Sequence, residues 1–158
     1  MNRTASAWLL EHKRDVYSQS GEDGIIETIL GIIPQNDKWC VEFGAGYGLL
    51  LSNTRHLIES KGYSAVLIEA DKKKFGGLQR NYANRSNIIL INKFVGFTKD
   101  DNLDRILSAA PVPYDFDLLS IDIDGNDYHA RKAISKYRPK IIVVEFNPTI
   151  FPKISQLN

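Results

Sequence analysis

Cysteine is nearly absent from this sequence: Cys40 is the only one, and methionine also occurs once. A single thiol excludes an internal disulfide, so the fold must rest on burial and hydrogen bonds alone. Set inside an apolar run, Cys40 reads as a small buried hydrophobe of a reducing compartment and not as a nucleophile. Long apolar runs are missing too. Nothing approaches the ~20 residues a bilayer-spanning helix requires. Met1 to Asp15 carries no sustained apolar stretch behind its charges, so a secretory leader is not expected. An excess of either charge is likewise lacking, with 20 Lys and Arg against 19 Asp and Glu and a net charge of +1. That balance calls for neither nucleic acid nor a membrane surface as partner. The one basic run, Lys72-Lys73-Lys74, falls where a helix should begin and reads as a solvated face. Repeats and low-complexity tracts are absent. These absences leave a cytoplasmic globular protein, and 158 residues suffice for one domain with a real core, residues 1–158, comprising an arm over 1–20 and a core over 21–148.

Apolar runs that end in polar residues are what the sequence does contain. Trp39-Cys40-Val41-Glu42-Phe43 leads into Gly44-Ala45-Gly46-Tyr47-Gly48, a strand that breaks into a turn with glycine at alternate positions. Further strands are expected at Ala65–Glu69, Ile88–Asn92, Phe116–Ile123 and Ile141–Phe146. Helical spacing falls between them: Ile25 to Ile33 with Ser20 as N-cap, a helix capped by Ser52 or Asn53 and ending near Gly62, then Lys72–Tyr82, Asp100–Ala110 and Tyr128–Tyr137. Alternating strands and helices predict an α/β protein with a doubly wound, parallel, Rossmann-like sheet of about five strands in the order 3-2-1-4-5. Few residues follow Glu145, so the antiparallel strands that often close such sheets are expected to be missing.

Ligands of these sheets sit beyond the carboxyl ends of the strands. Here those ends are Glu42, Glu69, Asn92, Asp122 with Asp124, and Glu145 with Asn147, all polar after apolar strand bodies. An unneeded buried carboxylate is costly, so the pattern points to a shared rim. Glu42 beside the glycine turn suits a cationic amine better than a pyrophosphate. Glu69 at the end of the second strand suits the two hydroxyls of a ribose, whether the nucleoside belongs to NAD or to S-adenosylmethionine. Asp71 is expected to cap the next helix, and Asn92, Lys93 and Phe94 to border the adenine or form a plain loop.

The segments Val41 to Gly48, Leu67 to Asp71 and Ile121 to Asp127, with Tyr17 to Asp23 before them, resemble class I S-adenosylmethionine-dependent methyltransferases of the FkbM-like group. The resemblance runs from about Tyr17 to Pro148. It implies a Rossmann-like fold, S-adenosyl-L-methionine as cofactor and methyl transfer, usually to oxygen, on a small-molecule or glycan acceptor. Residue by residue it matches Glu42, Gly44 and Gly46 to the loop beneath the methionyl end and Glu69 to the ribose acid. Asp122, Asp124 and Asp127 match acidic positions near the methyl group and acceptor. Ala45, Ala70 and Asn92 join the others as cofactor-binding candidates. Among these acids Asp124 is the first choice of base or acceptor orienter, and Asp122, also a cofactor-binding candidate, the second. His129, one turn into the following helix, is a further candidate base or else a surface histidine. Ser120 stands where many relatives have lysine. Metal-ligand spacing does not carry through Asp122, Asp124 and Asp127, so no metal is expected. Two rival readings are an NAD(P)-linked oxidoreductase, which the position of the third glycine disfavours, and a non-catalytic binding domain that covers its sheet edge by dimerising.

Overall fold

A computed structural model describes residues 6–34, 36–123 and 127–144, with only the backbone of Asp127. Five strands, β1 (Trp39–Phe43), β2 (Ser64–Ile68), β3 (Ile88–Ile91), β4 (Leu118–Ile121) and β5 (Ile141–Val144), pair in parallel in the order β3-β2-β1-β4-β5. The expected strand order is the observed one. The three central strands are buried on both faces because helices cover both, and they are apolar except for Glu42 on β1, Ser64 on β2 and Ser120 on β4.

Alternate strand residues serve opposite layers, as the two-residue period requires. Cys40, Ala65, Leu67 and Leu118 meet Ile26 and Leu30 of α1 (Glu22–Ile32), Leu57 and Ile58 of α2 (Arg55–Lys61) and Leu78 of α3 (Lys72–Asn81). Val41, Phe43, Val66, Ile68 and Leu119 meet Leu103, Ile106 and Leu107 of α4 (Leu103–Leu107) and Ala130 of α5 (Asp127–Lys132). Cys40 is fully buried and its thiol is pushed well above the usual value by burial, which makes it an inert packing group.

Several helix ends differ from expectation. Thr54, and not Ser52 or Asn53, is the N-cap of α2. Helix α4 covers Leu103–Leu107 and not Asp100–Ala110, with Asn102 Oδ1 accepting from Arg105 N at 2.9 Å at its start. Gly21, at φ +94, and not Ser20, occupies the N-cap of α1. The acids of its first turn reach backward instead: Glu22 Oε2 accepts from Ser20 N at 2.7 Å, and Asp23 Oδ2 accepts from Val16, Tyr17 and Ser18 N at 2.7–2.9 Å. These bonds fasten the Tyr17–Asp23 segment against the domain. The helix expected over Tyr128–Tyr137 stops at Lys132. Asp104 draws the amides of Ser135, Lys136 and Tyr137 to its carboxylate at 2.8–3.2 Å, and amides taken by a side chain cannot continue an i→i−4 ladder.

The amino-terminal rim of the sheet is held by Asp117, which has no exposed surface. It accepts from Asp37 N (3.0 Å), Lys38 N (2.9 Å) and Lys140 Nζ (2.8 Å), tying the approach to β1 to β4 and β5. Asp117→Ala leaves the amides of Asp37 and Lys38 without their acceptor and the Lys140 ammonium with Asp37 Oδ2 (2.6 Å) as its remaining partner, so we expect a loss of about 3 kcal/mol. Urea denaturation measures it, and a loss below ~1 kcal/mol would show that water replaces the carboxylate.

Candidate functional site

The order β3-β2-β1-β4-β5 places the topological switch between β1 and β4, and the carboxyl ends of β1, β2 and β4 converge there. The glycine turn after β1 folds onto β2: Gly44 N and Ala45 N both donate to Ile68 O at 3.1 Å. Gly44 has φ +78, and a Cβ built there would stand 1.6 Å from the carbonyl oxygen of Asp122. This glycine is therefore demanded by contact between two strand ends, whatever ligand lies above. Gly46, at φ +57, has nothing within 4 Å of its Cβ position and leaves one side of the turn bare.

Glu69 secures that turn from β2. It is 6% exposed, and Oε2 accepts from Gly46 N while Oε1 accepts from Asp71 N, both at 2.7 Å. A carboxylate offers about four acceptor positions, so roughly two remain for a ligand. Glu69 opens onto a cavity of about 330 Å3 together with Gly44, Ala70 and Asp122. Four residues singled out in the sequence thus share one cavity. Lys93 and Phe94 line it as well, in accord with their place after β3. Lys74 and Ile123 also line it and were not picked out as site residues. Lys74 was hidden in the basic run; its direction depends on Asp71 capping α3, with Lys74 N donating to Asp71 Oδ1 at 2.8 Å, which fixes the helix start.

Other predicted residues are placed differently. Glu42 does not line the cavity. It is 4% exposed and accepts from Ser52 Oγ and Thr54 Oγ1 at 2.8 Å and from Asn53 N at 3.1 Å. Asn53 Nδ2 in turn donates to Ser120 Oγ at 3.1 Å, and Ser120 is the register partner of Glu42 on β4. Glu42 thus anchors the segment that leads from the glycine turn into α2. Ser52 Oγ also accepts from Arg55 N at 3.1 Å beside the start of α2, whose N-cap is Thr54. Asn92, although exposed, is taken up by the neighbouring backbone, donating to Glu69 O at 2.7 Å and to Ala70 O, which joins the ends of β2 and β3. His129 is exposed and stacks beside Phe97 (5.8 Å between centroids) and Tyr128 (5.5 Å), away from the lining. Asp124, Glu145 and Asn147 lie outside the described residues. Among the described residues no group of three metal-ligating side chains occurs, and no helix is long and apolar enough to cross a membrane.

Burial pushes the Glu42 carboxyl up, and the bonds from Ser52, Thr54 and Asn53 pull only part of the way back. The folded chain therefore holds the proton more tightly than the unfolded one. The resulting stabilisation is complete below the ordinary value of 4.5 and is lost as pH rises through the folded-state value. Glu42→Gln cannot ionise, so the variant should lose this component of the decline. Urea midpoints for both proteins from pH 4 upward test it; parallel curves would refute it.

A bare glycine turn with strand-end acids, over a parallel sheet of this order, is the arrangement of Rossmann-like nucleoside-binding proteins. No family model matches the chain, and no curated protein matches it in sequence. Solved structures do match. The glycopeptide N-methyltransferase MtfA complexed with S-adenosyl-L-methionine superposes at a TM-score of 0.50 with 14% identity, over 82% of this chain and 55% of that one. MtfA with sinefungin gives 0.49 and 12%, over 90% and 60%. A presumed S-adenosyl-L-methionine-dependent methyltransferase of Methanococcus maripaludis gives 0.45 and 16%, over 73% and 49%. The chain spans about half to three-fifths of the length of these proteins, and at such identities the likeness is one of fold.

Proposed function

We propose that this chain binds S-adenosyl-L-methionine and transfers its methyl group to an oxygen of a small-molecule or glycan acceptor. The observation that carries the reading is the pairing of Glu69 and Asp122 on one cavity beneath the glycine turn. β1 separates β2 from β4, so the two acids stand about 10 Å apart across the sheet, a span suited to an extended nucleoside. The acceptor positions left on Glu69 suit ribose hydroxyls, and Gly44 brings bare backbone to the cavity wall. Glu42 supports this site from behind by holding residues 52–54 in place.

When bound, the sulfonium supplies a methyl group already activated for displacement. The protein's own work is then alignment, with Glu69 fixing the nucleoside and the Asp122 end of the cavity receiving the acceptor hydroxyl. Asp122, with Asp124 beside it in sequence, orients that hydroxyl and takes its proton. The choice of oxygen over nitrogen, and of the FkbM-like group, rests on the motif resemblance around Ile121 to Asp127.

Calorimetric titration with S-adenosylhomocysteine and with NADH tests the cofactor. We expect saturable binding of the first and none of the second, and the converse would overturn the reading. Label transfer from methyl-labelled cofactor into sugar and metabolite pools then tests catalysis.

A further inference from the structure

On the other flank of the glycine turn, between the segment leading into α2 and helix α3, lies a second cavity of about 580 Å3. Tyr47, Leu49 and Leu50 supply its apolar wall, and Arg55 and Arg80 its charge; no acid lines it. Neither guanidinium pairs with a carboxylate among the described residues.

Arg55 is held in place without being used up. Its guanidinium lies 4.0 Å over the Tyr17 ring, Nη1 donates to Leu49 O, and Nε is buried with no partner. A guanidinium has five donors in a planar fork and is weakly hydrated, which suits a carboxylate or phosphate. The wall beside it is unusually wet for its composition, with Tyr47 47% and Leu50 84% exposed, and Leu51, next in sequence but outside the lining, is 55% exposed. Leu51 also holds φ +58, a conformation leucine rarely adopts unless its surroundings impose it. Free cationic donors beside exposed hydrocarbon, around a preformed hollow, are complementary to one kind of molecule.

We propose that this cavity binds a small organic anion with an apolar body, its carboxylate or phosphate on Arg55 and Arg80 and its hydrocarbon on Tyr47 and Leu50. The site shares no lining residue with the Glu69 cavity, so it stands independently of the methyl-transfer reading.

The test is an NMR titration of the labelled full chain with octanoate, octyl phosphate, octanol and inorganic phosphate. At least one of the two amphiphilic anions should saturate, shifting the amides of Tyr47–Arg55 and of residues 77–81; the two arms tell carboxylate from phosphate. Arg80 and Leu50 are exposed, so Arg80→Gln and Leu50→Ser should fold normally and each weaken binding about tenfold. The proposal falls if neither anion saturates, if octanol or inorganic phosphate binds as well, if both variants bind as the parent does, or if the shifts centre on Glu69 and Asp122.

Discussion

Gly44→Ala should cost this domain about 3 kcal/mol or more, lowering its melting temperature by about 10 °C. A methyl group at this position would stand 1.6 Å from the Asp122 carbonyl oxygen, far inside contact distance, and the obstacle is backbone in a ladder, which cannot swing aside. Relief would require parting the ends of β1 and β4, where Asp122 N donates to Phe43 O at 3.2 Å. The φ of +78 adds the left-handed penalty of ~1–2 kcal/mol on its own. Gly46→Ala is the control. It shares the positive φ but meets no atom within 4 Å, so its stability loss should be confined to about 1 kcal/mol. Urea unfolding of the two variants separates steric demand from conformational preference; equal losses would sink the assignment of Gly44 to the strand contact.

Glu69→Gln should weaken S-adenosylhomocysteine binding about 100-fold, roughly 2.7 kcal/mol, with the fold retained. Both carboxylate oxygens accept from backbone N–H groups, Gly46 on one side and Asp71 on the other. A carboxamide has only one accepting oxygen, so whichever way it turns an NH2 faces an N–H donor. One of the two anchors is lost, and the ribose of the proposed cofactor would lose a charged acceptor at the same time. Calorimetric titration reads the affinity, and thermal unfolding verifies that the variant folds. An unchanged affinity would remove Glu69 from the site.

Much of this architecture is legible in the linear sequence. β1 starts and ends at the residues expected, Trp39 and Phe43, and the apolar runs before Glu69 and Asp122 are strands whose ends do share a cavity. Asp71 caps α3 as expected, because a short carboxylate just before a helix has its partner three residues on, a purely local geometry. The end of α5 and the orientation of Glu42 depend on residues outside the element concerned. The α5 end is set by Asp104, about thirty positions earlier, and nothing near Ser135 announces it. Glu42 looked like Glu69 from its position after an apolar run, yet its oxygens are met by Ser52, Asn53 and Thr54.

What the sequence determined by itself is the alternation of strands and helices, the strand order and the polar residue closing each central strand. Hydrophobic periodicity is local, and connection rules leave few ways to arrange it. What only the tertiary structure decided is the direction each acid faces. Glu69 borders a hollow with acceptor capacity to spare, Glu42 is enclosed by the chain's own donors, and Asn92 fastens two strands together. A buried carboxylate must find donors wherever the folded chain supplies them, and that supply is a property of the assembled rim.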